Sequence, residues 1–329
     1  MGVTAVKKVI YVLFLLVFVG CKSDSDVKTI KLGHGLDISH PVHKSMAYMA
    51  DKVAEKSDGK LAIQIYPSQQ LGTERELVEL LQIGSVGITK VSASVLENFA
   101  PSYRVFSIPF IFRDDEHRFN VLEGDIGTEI LDDGREFWFH GLCFYDAGSR
   151  SFYTKDKPIH TPEDLRGQKI RVMQSQTAIN MVEALGGSAT PIAFGELYTA
   201  LQQGVVDGAE NNPPSFYTSR HYEVSKYYTI NEHSAVPDVL IISTHVWDNL
   251  TPEEQQIVKE AADESAEYQK ELWKIASDEA LQKVEAAGVE IIYPDKSLFQ
   301  EKVESLYEEY GADPVLNDLI VRIQNVEGE

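Results

Sequence analysis

Between Thr251 and Gly288 the chain offers no residue that would stop a helix. Thr251-Pro252-Glu253-Glu254 reads as a capping box with proline at the first helical position. Val258, Ala261, Ala262, Ser265, Leu272, Ala276 and Val284 then recur at helical spacing, and Gly288 is the first strong stop. At 1.5 Å per residue, ~36 residues extend roughly 54 Å, more than one lobe of ~120 residues is wide. The apolar positions follow no heptad, so a coiled coil is excluded. A helix of this length must lie across two folded units, as a strut shared between two lobes.

The rest of the chain supplies those units. "TIKLGHGL", "KLAIQIYPS" and "VGITKVSAS" read as strands, separated by amphipathic helices that end at Gly59 and Gly84. A second set begins near residue 140: strands in "FHGLCFYDAGSRSFYT", "QKIRVMQS", "ATPIAF" and "VVDGAEN", with helices between the later ones. "TPEDLRG" opens with Thr161 as N-cap, Pro162 at the first helical position and Asp164 three residues on. Two βαβαβ patterns predict an α/β fold with open sheets covered on their faces, and such sheets bind ligands beyond the carboxyl ends of their strands. No internal repeat or low-complexity tract is present.

The first residues give an address. Lys7 and Lys8 precede an apolar run from Val9 to Val19 and then Gly20-Cys21. The run is shorter than the ~20 residues that cross a bilayer but fits an export signal. We expect residues 1–20 to be a signal peptide, against the alternative of an uncleaved anchor helix. "FVGC" resembles a bacterial lipobox, with Phe18 where that motif usually has Leu, so Cys21 is the expected lipidation site and residues 21–27 a polar tether. The only other cysteine is Cys143, in an apolar run where it reads as packing and not as a nucleophile. With Cys21 acylated no disulfide can form. The net charge is −21, and loss of the signal removes two lysines more. That field argues against nucleic acid and anionic membranes as partners.

For chemistry, no phosphate loop, nucleophile elbow or zinc-protease motif occurs, and no cofactor or catalytic group is expected. His40 and His43 in "HPVH" sit three apart at a helix start, and a polar helix entry explains them better than a metal. The 51 acidic residues make chance carboxylate pairs certain, and nothing selects one for glycoside hydrolysis. Arg171 differs: Ile170 and Val172 point to one face of the strand and Arg171 to the other, near the carboxyl end, where a guanidinium suits a carboxylate. Arg150 stands at another strand end after Gly148-Ser149. Asn211 and Asn212 close "VVDGAENNPPS", either as turn residues or as uncharged donors and acceptors for a ligand.

"YPSQQLG" (66–72), "LRGQKIRV" (165–172), "GGSATPIAFGELYTALQQGVVDGAEN" (186–211) and "HYEVSKYY" (221–228) together resemble the substrate-binding proteins of TRAP transporters. The resemblance spans nearly the whole mature chain. It implies a two-lobed periplasmic binding protein with hinge strands, not an enzyme, that closes on an organic acid and passes it to a membrane permease. It implies a lobe of residues 28–147 plus about 237–276 and another of 148–236 plus about 277–329. Arg171 matches the arginine that holds the ligand carboxylate, and Arg150 the one after the crossing strand, although "DAGSR" has Asp-Ala where some members have Asn-Gly. Asn211, Phe194 and Glu74 match an amide, an aromatic and a hydroxyl-reading position. "LGHGLDISHP", "VMQSQ" and "ENNPPS" resemble the sugar-acid branch, which implies a uronate as ligand, His34 as a further hydroxyl partner, and a monomer. An exported lyase or hydrolase acting on acidic sugars is the competing class.

Overall fold

The alternation of strand and helix is present, but the strands sort into two sheets that each take in antiparallel strands from later in the chain. The computed structural model describes residues 27–327; the expected signal segment and Cys21 lie outside the described residues. The first sheet contains β1 (Lys28–Gly33), β2 (Leu61–Tyr66), β3 (Ile88–Ser92) and β4 (Phe139–Tyr145). The second contains β5 (Arg150–Thr154), β6 (Lys169–Val172), β7 (Ser188–Pro191), β8 (Gly208–Asn211), β9 (Tyr227–Ser234) and, at its edge, β11 (Glu290–Ile292). One more strand, β10 (Asp238–Ser243), returns to the first sheet and lies antiparallel between β3 and β4. Its sequence, DVLIIS, is buried throughout, as a strand covered on both faces must be.

The chain passes between the sheets at residues 146–149 and 235–237, and again along the long helix. That helix runs Pro252–Ala286, 35 residues, with the Thr251–Glu254 capping box formed. It packs on the helix Pro41–Lys56 beside the first sheet and on Pro213–Thr218 beside the second, so it is the strut its length requires. Gln269, buried on this helix, donates to Asp146 O (2.7 Å) and accepts from Asp146 N (2.8 Å), fixing the first crossing to it. Two residues on, Gly148 has φ +55°, and a Cβ there would lie 2.8 Å from the Trp273 indole nitrogen. Only glycine fits that crossing.

Local departures have identifiable causes. "TPEDLRG" makes one 3-10 turn, Pro162–Leu165, because Arg166 already leaves the helical region. The Pro213-Pro214 pair begins a short helix, where Asn212 Oδ1 accepts from Ser215 N at 2.9 Å and proline fills the first position. The tail is divided. The helix Lys296–Tyr310 packs on Gln176–Ala184 and β9, with the second sheet. The last helix, Pro314–Gln324, instead packs on residues 101–107 and the helix Asp125–Asp133, beside the first sheet. Leu316, Leu319, Ile320 and Ile323 are buried there, and His117 Nε2 bonds Ile323 O at 2.8 Å. The last two helices therefore pack beside different sheets.

Candidate functional site

The sheets face each other across a cleft lined by residues from both, among them Glu74 and Lys90 on one side and Arg150, Arg171 and Asn211 on the other. Its rim is bridged from one side to the other. Glu97 Oε1 accepts from Ser175 Oγ (2.8 Å) and Thr177 N (3.1 Å), Asn98 Nδ2 donates to Gln174 O (2.7 Å), and His40 Nε2 lies 3.2 Å from Ser215 Oγ. The sides are in contact, and the cleft between them is closed.

On the second-sheet wall, Arg171 is 2 % exposed. Its neighbours across the ladder are Ala209 on β8 and Thr190 on β7, neither of which offers a carboxylate. Nε donates to Ile192 O at 2.8 Å, the guanidinium lies over the Phe194 ring (5.9 Å), and Nη1 is buried with no acceptor among the described residues. Burial lowers the pKa of this cation, with nearby Glu210 opposing. An unpaired buried donor of this kind is costly unless something anionic meets it.

Arg150 is a contrast within the same wall. Phe152 pairs with Glu210, so Arg150 and Glu210 are diagonal neighbours on one face. Nε and Nη2 bond the two carboxylate oxygens, Nη2 also reaches Glu210 O (2.9 Å), and Nη1 donates to Asn211 Oδ1 at 2.9 Å. Burial would raise the Glu210 carboxyl, but Arg150 and then His233 hold it down to about 2. Asn211 Oδ1 accepts from Asn212 N as well (2.9 Å), which commits the oxygen and leaves the Nδ2 donors toward the cleft.

The first-sheet wall is built around a residue the sequence did not single out. Lys90, 3 % exposed, donates to Glu74 Oε1 at 2.7 Å and Asp238 Oδ1 at 3.1 Å. Leu240 pairs with Lys90 in the β3–β10 register, so Lys90 and Asp238 are again a diagonal pair. Glu74 opens the helix Glu74–Gln82, held by the Thr73–Glu76 capping box. Burial acts to lower the Lys90 ammonium, yet Asp238 and Glu74 outweigh it and hold it above its ordinary value. The place of Lys90 near the carboxyl end of β3 was the available signal.

Of the expected residues, Arg171, Arg150, Asn211, Glu74 and Phe194 meet in this cleft, and His34 does not line it. His34 is fully buried one layer behind: Nδ1 accepts from Leu36 N (3.1 Å) and Nε2 lies 3.0 Å from His43 Nδ1. Burial, then Lys90 and His43, lowers it to about 3, so the ring is neutral. His40 caps its helix through Nδ1 and reaches across the cleft rim through Nε2, so the two histidines of "HPVH" go to different partners.

Residues 32–313 match the family described as bacterial extracellular solute-binding protein, family 7. A solute-binding protein of Chromohalobacter salexigens is 35 % identical over 291 residues, 88 % of this chain and 87 % of that one. A TRAP periplasmic solute-binding protein of Xanthobacter autotrophicus, solved with bound β-D-galacturonate, superposes with TM-score 0.88 at 41 % identity over 91 % of this chain and all of that one. Another from Anaerococcus prevotii, solved with bound D-glucuronate, gives TM-score 0.89 at 40 % identity over 91 % and 98 %.

Proposed function

The chain belongs to family 7 of the bacterial extracellular solute-binding proteins, the binding components of TRAP transporters and not enzymes, and from that premise we propose that its cleft captures a hexuronate. The single observation that carries this is Arg171, a buried guanidinium with an unpartnered Nη1 in a closed cleft. One carboxylate placed there accepts from the free edge of the guanidinium, with Phe194 as the floor beneath it. The Nδ2 of Asn211 donates to a ring or hydroxyl oxygen. Glu74 accepts from hydroxyls on the opposite wall. The relatives solved with galacturonate and glucuronate support this chemistry.

The protein works in the periplasm, and its partner is a TRAP membrane permease. We further propose that Cys21 carries a lipid anchor, that the protein acts as a monomer, and that residues 146–149 and 235–237 are the hinges about which the lobes open. Calorimetry with galacturonate, glucuronate, glucuronamide and glucose tests the reading. Both acids should bind saturably and return unaltered, whereas the amide and the neutral sugar should not register. Binding of glucuronamide as tightly as glucuronate would remove the carboxylate from the argument.

A further inference from the structure

The charges around the cleft are unevenly divided between its walls. Three cations (Arg150, Arg171, Lys90) face three acids (Glu74, Asp238, Glu210), a formal sum of zero. Arg75 also reaches the cleft, but its side chain is 49 % exposed and pairs with Glu79. On the second-sheet wall Glu210 cancels Arg150, and Arg171 is left as one unmatched positive charge. On the first-sheet wall one ammonium serves two carboxylates, so one negative charge is unmatched there. Lys90 takes Glu74 Oε1 and Asp238 Oδ1. The other oxygen of Glu74 accepts, among the described residues, only from Ser92 N at 3.5 Å. A carboxylate oxygen can only accept, so whatever meets this wall must bring donors.

We propose that the Lys90–Glu74–Asp238 cluster sets the ligand class: a monocarboxylate with hydroxyl groups at its far end, with dicarboxylates refused. This rests on the reading of Arg171 as the carboxylate site. A second carboxylate, held by the first on Arg171, faces two acids across the cleft and finds no free buried cation among the described residues. Like charges brought together in a desolvated site repel strongly, and the ligand's own desolvation is not offset. A hydroxyl at the same place donates to Glu74 or Asp238 and accepts from Lys90. Lys90 also orients both acids, so the acceptors stand fixed before the ligand arrives.

The experiment compares each acid with the diacid of the same carbon skeleton: galacturonate with galactarate, glucuronate and gluconate with glucarate, erythronate with tartrate. Titration calorimetry on the wild type should favour the monoacid by at least about 30-fold in Kd. Glu74→Gln gives the wall a donor and one charge less, and with Asp238→Asn it should narrow the ratio by about 10-fold. A diacid within threefold of its monoacid on the wild type overturns the proposal, and this comparison needs no variant to fold. So does a ratio unchanged in both variants with melting temperatures preserved. If uronates fail but gluconate or erythronate binds and its diacid does not, the hexuronate reading falls and the wall's role stands. If a uronate and its diacid both bind, the reverse holds; silence across all pairs sinks both.

Discussion

The two walls of the cleft solve the same problem in opposite ways. Each buries a cation on a strand beside an acid two positions along the neighbouring strand: Arg150 with Glu210, Lys90 with Asp238. On the second wall that pair is closed and bidentate, and the free charge belongs to a separate arginine with no acid opposite it. On the first wall the pair shares its cation with Glu74, and the free charge is negative. A buried ion can therefore be structural or receptive within a few ångströms of the same cleft, and what decides is whether the ladder places a counter-ion across from it.

The comparison can be broken first at Arg150. Removing its head as Arg150→Met leaves Glu210 buried beside His233 alone. We expect a loss of about 3–5 kcal/mol of stability in the empty protein, measured by urea denaturation. A loss no greater than that of Arg171→Met would erase the distinction between the two arginines.

Arg171 should show the opposite pattern. Arg171→Met is expected to cost uronate binding about 2–5 kcal/mol, roughly 30- to 4000-fold in Kd, while stability of the empty protein changes little. Arg171→Lys should also bind poorly, since an ammonium keeps the charge and loses the two parallel N–H groups. Calorimetry within threefold of wild type for the Met variant would place the carboxylate elsewhere.

The smallest effect, counted per ring and per pH unit, comes from the histidines behind each wall. Burial, then Lys90, lowers His34 to about 3 on the first side; burial, then Arg171, lowers His221 to about 3 on the second. Both folded values lie below the ordinary 6.5, so the unfolded chain takes up these protons first. The stability tied to the neutral rings is complete above pH 6.5 and is lost as pH falls from 6.5 toward 3. Each ring should contribute about 1.4 kcal/mol per pH unit in that window. Denaturation midpoints that stay flat between pH 6.5 and 4.5 would contradict this. In Arg171→Met, the His221 resonances should titrate nearer the usual range and those of His34 should not move.

The strut and the sheet units were legible because their signals are local. A capping box, an uninterrupted helical period and glycine stops need no tertiary knowledge, and Arg171 stood out through the alternation of "KIRV". The first wall was mostly not legible. Lys90 and Asp238 lie 148 positions apart and meet only because β10 returns antiparallel beside β3, which no local pattern announces. His34 was placed in the site through the resemblance of "LGHGLDISHP" to the sugar-acid branch, and a resemblance does not say whether a side chain there turns toward the cleft or into the layer behind it. Asn211 lines the cleft, but the commitment of its oxygen to Arg150 depends on the β5–β8 register.

Trp273 gives the fold an optical consequence. Its indole nitrogen lies against Gly148 at the first crossing, and its ring is 5.8 Å from His40 at the rim. The chain has three tryptophans, and Trp138 is 58 % exposed whereas Trp273 is 4 % exposed. A rotation of one sheet against the other moves the crossing at Gly148 against Trp273 and leaves Trp138 in solvent. The unlabelled protein thus carries its own emission probe of capture and release, with a constant background beside it, and stopped-flow fluorescence can time the closing step without a dye.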